Sequence, residues 1–478
     1  MQALSSRKAA ILDHSERIAE KRPLFRQRAQ FFHEEDLRYL RFLIPEGLRV
    51  LELGCGTGDV LAGLKPSFGV GVDFSPAMVS QAKRLHPELE FRVGDIEDPA
   101  FIASLPGPFD VILIVDTIGS LEDCQAALEL LHQQCTRATR LVIAYYSHLW
   151  EPLLRIAEWI GWRAPQPQQN VLSTADTHAL GDLADFEFVK GEARLLSPMR
   201  LLGLGRLLNR YVSMLPVIRH LSLRHYSVYR SWRLARDERL TSATVLVPVR
   251  NERGNVERAV ENLPQFCDDL EILFVEGHSR DGTYEEVERV IAAHPDRDIK
   301  LIRQPGKGKG DAVFAGFDIA RGDVLMILDG DLTVPPEQLP KFWRAVASGK
   351  GEFINGSRLV YPMEDEAMQF LNLAANRLFS IAFSWLLNQR FTDTLCGTKV
   401  LRRTDYYRLK EGRAYFGDFD PFGDFDLIFG AAKLNLKCIE VPVRYRSRTY
   451  GSTQISRFRH GLMLIRMVIF AFFRIKAL

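Results

Sequence analysis

At 478 residues, with 46% hydrophobic and 26% charged residues, the sequence has the composition of ordinary globular protein and the length of two or three domains. A disordered or fibrous chain is excluded. The net charge is +2, and the six cysteines (Cys55, Cys124, Cys135, Cys267, Cys396, Cys438) are scattered without a C-x-x-C pair, which argues against a zinc site or disulfide framework and for a reducing compartment.

In chain order, the N-terminal stretch MQALSSRKAAILDHSERIAEKR has no continuous apolar run and is not expected to be a secretory signal. From about residue 48, short apolar runs alternate with amphipathic ones: LRVLELG, FGVGVDF, LEFRVGD, FDVILIVD and RLVIAYY read as strands, residues 76–85 and 122–135 as helices. This alternation predicts a parallel sheet covered on both faces, with ligands at the carboxyl ends of its strands. Past Trp150 the pattern dissolves into APQPQQN and a basic, leucine-rich segment, in which ten arginines from Arg194 to Arg239 face only Asp237 and Glu238. Either these are solvated helix faces, or they meet an anionic membrane surface or a phosphate-bearing substrate. No aromatic-interleaved basic module accompanies them, so nucleic acid is not expected as a partner. The alternation restarts at SATVLVPVRNE, followed by LEILFVEGHSRDGT, IKLIRQPGKGKG and DVLMILDGD. The charged stretch 233–242 places the boundary, giving domains 1–235 and 240–478.

In the first half, VLELGCGTGDV sets Gly54, Gly56 and Gly58 at the turn leaving the first strand, where missing side chains let backbone approach a ligand. A dinucleotide fingerprint fails, because Asp59 or Leu61 stands where its last glycine belongs. Asp73 ends the second strand, placed to accept from ribose hydroxyls, and Asp95 in VGDIED ends the third. Together these residues resemble the class I S-adenosylmethionine-dependent methyltransferases over about residues 45–150. The resemblance implies a Rossmann-like fold and S-adenosylmethionine as cofactor. It sets Glu52 and the three glycines along the methionine and ribose, Asp73 at the ribose, and Asp95 with Ile96 at the adenine. The fourth strand ends IVDTIGSLED, without the Asn-Pro-Pro-aromatic motif of enzymes that methylate nucleobase amino groups. Asp116 either touches cofactor or substrate or caps its strand, and His148 and His178 are candidate bases. The methyl acceptor is not legible.

In the second half, VLMILDGDLTV sets Asp329 and Asp331 directly after an apolar run, where paired like charges require neutralisation. A divalent cation is the simplest neutraliser, since Mg²⁺ or Mn²⁺ takes carboxylate oxygens and bridges to phosphates. An extended i, i+2 pair would point both carboxylates at one ion. With VLVPVRNERGNVERAV, VEGHSRDGT, RQPGKGKGDAVFAGF, GSRL, TDTLCGTKVLRR and IEVPVRYRSRTYGSTQIS around it, the pair resembles the inverting GT-A glycosyltransferases of family 2 that include polyprenol-phosphate mannosyltransferases, over residues 243–460. That resemblance implies a nucleotide-sugar donor, with Pro248, Glu252 and Glu276 at the nucleoside, Lys307 and Lys309 near its phosphates, Asp329 at the sugar or ribose, and Asp331 on the metal. Thr333 stands where relatives often supply a further ligand. Arg358 and Arg448 are candidate phosphate clamps. For a hydroxyl acceptor, Asp393, Asp418, Asp420, Asp424 and Asp426 are candidate bases.

From Val441 to Leu478 there are eight Lys or Arg and no acid. The last apolar stretch, GLMLIRMVIFAFFRIKAL, is broken by Arg466 and shorter than the roughly 20 residues a spanning helix needs. It is expected to lie on a membrane as an amphipathic helix. The expectation is an α/β protein of two domains. It would glycosylate a polyprenyl phosphate or glycolipid and transfer a methyl group, at the cytoplasmic face of a membrane and peripheral to it. The alternative is a soluble polysaccharide or secondary-metabolite glycosyltransferase whose first domain only docks or binds S-adenosylmethionine.

Overall fold

The structure is a computed structural model that describes residues 5–478 apart from 168, 171, 237–238, 362–369, 418–422 and 452–456, with backbone only for 370–375 and 457–461. The candidate bases Asp418 and Asp420 lie outside the described residues. The chain divides into two compact units, Met1–Ala235 with Lys476–Leu478, and Arg236–Ile475. The last three residues thus go with the first unit, unlike the expected 240–478 span.

The first unit is built on β1 (Arg49–Leu53), β2 (Phe68–Asp73), β3 (Glu90–Val93), β4 (Val111–Val115), β5 (Arg140–Tyr146), β6 (Phe186–Arg194) and β7 (Arg224–Ser231). Their order is β3-β2-β1-β4-β5-β7-β6. β1 to β5 pair in parallel, with Leu51 opposite both Val70 and Ile112, as expected of continuous apolar runs buried on both faces. Helix Pro76–Leu85 forms where predicted, because Ser75 caps it by accepting from the Met78 N–H and Pro76 occupies the first turn.

The sheet is mixed rather than wholly parallel. β7 runs antiparallel to β5 and β6. β7 was hidden inside the basic segment and β6 runs up to its first arginine, and several of these arginines are interior residues. Arg224 is 0% exposed and lies between Asp36 and Asp116. Arg230 is held by Glu187 at 2.6 Å, and Arg194 lies over the Tyr39 ring at 4.3 Å. A period-2 pattern with buried cations on its inner side reads as polar on both faces. Glu192 receives Lys476 Nζ at 2.7 Å and the Tyr39 hydroxyl at 2.9 Å, which ties the final residues into this unit. Burial alone would raise the Glu192 carboxyl, but Arg194 and Lys476 pull it down to about 2.

The second unit has β8 (Ser242–Val249), β9 (Asp269–Glu276), β10 (Asp298–Arg303), β11 (Val324–Ile327), β12 (Phe353–Ser357), β13 (Lys399–Arg402) and β14 (Cys438–Pro442), in the order β10-β9-β8-β11-β13-β12-β14. β8 to β11 are parallel, and β13 is antiparallel to both β11 and β12. Val245, Val247, Phe274, Met326 and Val400 fill its core. The carboxyl ends of β8, β9 and β11 bring Pro248, Glu276 and the Asp329–Asp331 turn to one edge. Helix Arg457–Ala471 buries Leu464 and Met467 while exposing Leu462, Ile465 and Ile469, and helix Phe370–Leu387 exposes Leu378 and Ile381. Among the described residues, no helix is long and apolar enough to cross a membrane.

Candidate active sites

In the second unit β11 stops at Ile327, so Asp329 and Asp331 are not on an extended strand. They sit in a turn closed by the Leu332 N–H donating to the Asp329 carbonyl at 3.0 Å, with Leu332 at φ 52°. The turn sends each carboxylate to a different cation. Asp329 Oδ1 meets Lys309 Nζ at 2.6 Å, and Asp331 Oδ2 accepts from Arg448 Nη2 at 2.6 Å. Arg448 also reaches Glu252 at 3.4 Å. Lys309 lies 3.5 Å from Asp424, which lies 3.6 Å from the buried Lys399. Signs alternate along this network, so each charge has a compensating neighbour. For Asp329, burial favours the neutral acid, but the Lys309 ammonium outweighs it and holds the carboxyl below its ordinary range. Burial lifts the Glu252 carboxyl above its usual value. At Gly397 a Cβ would come within 1.9 Å of Asp329 Oδ2 and 2.5 Å of Lys309 Nζ, so any side chain there would displace this pair.

Several expected site residues have other work. Arg358 is no free phosphate clamp, since its Nε and Nη2 fork onto Asp393 at 2.6 and 2.8 Å. Asp393, 0% exposed, also accepts from the Arg358 and Leu395 N–H groups and from Asn376. Burial would raise its carboxyl, but Arg358 holds it below its ordinary value. Asp426 is paired with Arg413 at 2.9 Å and is 3% exposed, so it too is an interior ion pair. Glu276 is buried and accepts from the Ser279 N–H, while Lys307 is exposed at the loop tip. Thr333 donates its hydroxyl to Asp331 Oδ1 at 2.9 Å. Lys399 was not anticipated, because nothing in TDTLCGTKVLRR marks one lysine as buried beside an acid.

The donor chemistry at the turn suits a hard divalent ion in part. Mg²⁺ or Mn²⁺ commonly takes one or two protein carboxylates and completes its shell with phosphate oxygens and water. Asp329 and Asp331 supply two carboxylates, and a bound ion would take over the compensation that Lys309 and Arg448 now provide. Among the described residues, the group of three metal-capable side chains in mutual reach is Glu257, Glu261 and His294, not this pair.

In the first unit, a cavity of about 1310 Å³ opens at the carboxyl end of the sheet, lined by Gly54, Asp73, Asp95, Ile96 and Asp116 among others. Asp73 accepts from the Gly56 N–H at 2.7 Å and the Ser75 N–H at 2.9 Å, and its burial raises its carboxyl. Glu52 does not line the cavity. It is 2% exposed behind the loop, accepts from the Leu61 N–H at 3.0 Å, and burial pushes its carboxyl up to about 8. Gly56, at φ 53°, is overlain by Arg22, whose guanidinium would be 2.8 Å from a Cβ there.

Helix Ser6–Ile18 covers the same edge. Lys8 bridges Asp95 and Glu97 at 2.6 and 2.9 Å, and Glu16 accepts from Ser75 Oγ at 2.6 Å. This helix and Arg22 escaped sequence reading because they precede the glycine loop by dozens of residues. Asp116, at φ 55°, faces the cavity and is gripped by Arg224. Of the candidate histidines, His178 packs tilted against Phe188 with ring centroids 3.9 Å apart and His148 is exposed, and neither lines the cavity. His33 does, and burial holds its imidazole down to about 4.

Two parallel-centred α/β sheets, one behind a glycine loop and one behind an acidic turn, define a two-domain transferase architecture. Residues 244–409 match the family model for Glycosyl transferase family 2, and residues 24–190 match that for a Methyltransferase domain. The chain therefore carries a family 2 glycosyltransferase domain in its C-terminal half and a methyltransferase domain in its N-terminal half. Dolichol-phosphate mannosyltransferase of Pyrococcus furiosus is 37% identical over 120 residues, 24% of this chain and 33% of its own length. Polyprenol monophosphomannose synthase of Mycolicibacterium smegmatis is 28% identical over 218 residues, 44% of this chain and 80% of its own. The match thus spans a third of the first relative and four fifths of the second. A SAM-dependent methyltransferase of Thermotoga maritima, described as a possible histamine N-methyltransferase, aligns at 19% identity and a TM-score of 0.36, covering 46% of this chain and 99% of that one.

Proposed function

We propose that the protein is a bifunctional transferase working at a membrane face on its cytoplasmic side. The second unit moves a sugar from a nucleotide-sugar donor to a polyprenyl phosphate or glycolipid, and the first transfers a methyl group from S-adenosylmethionine. The observation that carries the reading is the pair of ion-pair triplets, Glu252–Arg448–Asp331 and Asp329–Lys309–Asp424, that meet at the acidic turn after β11. The names of the relatives, which act on dolichol or polyprenol phosphates, support the acceptor class. The exposed apolar stripe Leu462, Ile465, Ile469 supports a membrane-side acceptor.

In sugar transfer, an acceptor oxygen forms a bond to the anomeric carbon as the bond to the diphosphate breaks, and its electron pair leaves with the nucleoside diphosphate. Arg448 and Lys309, the cations paired with Asp331 and Asp329, would stabilise that developing charge. Asp331 with Asp329 would hold Mg²⁺ or Mn²⁺, which supplies Lewis-acid stabilisation of the leaving group when bound. A phosphate acceptor needs no base, whereas a hydroxyl acceptor would give its proton to Asp424. In the first unit, Asp73, Asp95 and Arg22 bind and orient the cofactor. S-adenosylmethionine would supply the electrophilic methyl when bound; the acceptor's heteroatom would exchange its hydrogen for that methyl, and the proton would pass to solvent.

The test is a screen of nucleotide sugars with Mn²⁺ and polyprenyl phosphate vesicles, read as nucleoside diphosphate release. Release that depends on the vesicles and is lost in Asp331→Asn is expected. Equal release by Asp331→Asn would overturn the glycosyltransferase assignment.

A further inference from the structure

The lining of the first unit's cavity is of two kinds: polar groups at Asp73, Asp95 and Asp116 by the glycine loop, and an apolar set, Leu153, Leu154, Ile160, Trp162, Leu201 and Leu208, contributed by later segments of the chain. At about 1310 Å³ it exceeds the roughly 300–1,000 Å³ of a site for one small ligand. A cofactor against the polar groups leaves the apolar lining, the arm of the cavity, for a second molecule.

The apolar arm is not closed. Helix Glu151–Trp159 has no buried residue, and Leu153 and Ile156 line the cavity while remaining exposed. Beyond them Trp159 is 87% exposed, and Leu202, Leu204 and Leu207 are exposed on the following basic segment, where Leu201 again lines the cavity. A soluble surface rarely leaves so many large apolar side chains in one neighbourhood. Between Leu195 and Leu223 the chain has Arg200, Arg206, Arg210 and Arg219 and no acid. Apolar side chains interspersed with arginines complement an anionic bilayer surface.

We propose that the methyl acceptor of the first unit is a membrane lipid. Its long apolar chain fills the arm between Leu154, Ile160 and Leu208, its nucleophilic head reaches Asp116 and Tyr146, and the Trp159–Leu202 rim rests on an anionic bilayer to receive it. This rests on reading the first unit as a methyltransferase, and it adds the acceptor class that the motifs leave blank. It also separates the basic segment into two populations: Arg194, Arg224 and Arg230 hold the sheet together, while Arg219, and Arg200 and Arg206 beside Glu34 and Glu35, lie toward the surface.

Three measurements on the full chain test it. Isothermal calorimetry with S-adenosylmethionine examines only the methyltransferase reading. Calorimetry with dodecyl phosphate below its micelle concentration, against butyl phosphate, examines the arm. Eight further methylenes entering it should tighten binding by roughly a hundredfold or more, and Leu154→Arg should abolish that gain without changing S-adenosylmethionine affinity. Vesicles of brominated phosphatidylglycerol examine the rim: the emission component removed by Trp159→Phe should be quenched.

Normal cofactor binding with equal affinity for the two phosphates, or with an unaltered dodecyl gain in Leu154→Arg, would overturn the proposal. So would an unquenched Trp159 component, or a dimer in sedimentation that Trp159→Glu dissociates, which would make the rim a protein interface. A chain-length gain without any cofactor binding would keep the lipid site and sink the methyltransferase reading instead.

Discussion

Replacing Asp393 by Asn separates a structural carboxylate from a catalytic one. The side chain collects the Arg358 fork at 2.6 and 2.8 Å, the Arg358 and Leu395 N–H groups at 3.0 and 3.1 Å, and Asn376 at 3.1 Å. Neither partner of the pair has appreciable solvent contact, so the amide leaves a guanidinium buried without its counter-charge. Breaking one side of such a pair costs about 3–5 kcal/mol. In a unit of this size each kcal/mol lowers the melting temperature by about 2–4 °C, so the loss is roughly 6–20 °C.

The assay is calorimetric melting of Asp393→Asn, Arg358→Met and the double variant, together with sugar transfer measured well below every transition. Each single change should melt early. The double change should recover much of the loss, because it removes both charges at once, and Asp393→Asn should retain most of its turnover at low temperature. A variant that melts like the parent yet loses turnover by two orders of magnitude would refute the structural assignment and return Asp393 to the chemistry. The acid limb carries the same sign. With the folded carboxyl held below its ordinary value, the stabilisation is present above about pH 4 and is lost as pH falls through the folded value.

Asp331→Asn, by contrast, removes a partly exposed charge, and it should leave melting within about 1 kcal/mol while lowering Mn²⁺-dependent sugar transfer about a hundredfold, measured by nucleoside diphosphate release. Lys309→Met should slow the same reaction and also cost stability, since Asp329 and Asp424 then lose the ammonium between them. Arg22→Ala should weaken S-adenosylmethionine binding by roughly ten- to a hundredfold in calorimetry, the worth of a charged hydrogen bond to the cofactor's carboxylate. Glu52, raised from 4.5 to about 8, binds a proton in the folded state that the unfolded chain releases, so its stabilisation is full below about pH 4.5 and lost as pH rises through 8. Glu52→Gln should flatten that slope in melting temperature measured across the window.

The central strands β1, β2, β4, β5, β8, β9 and β11 were legible in the amino-acid sequence because each has an apolar run, and burial on both faces of a sheet demands such a run; the edge strands β3 and β10, which carry Arg92 and Lys300, were legible from their place in the alternation. The glycine loop, Asp73, Asp95 and the Asp329–Asp331 pair were legible for a related reason: each depends on short spacing along the chain. β6 and β7 were not, because Arg194, Arg224 and Arg230 interrupt the apolar pattern, and Arg224 and Arg230 are tolerated inside only by carboxylates far away in sequence.

The same limit governs the sites. Arg358 and Arg448 look alike as arginines after serine, yet one is locked onto Asp393, 35 residues on, and the other faces Asp331, 117 residues back. Spacing along the chain determines which residues end a strand or enter a turn. Which cation neutralises which carboxylate depends on distance through space in a medium of low dielectric, and only the folded chain sets that distance.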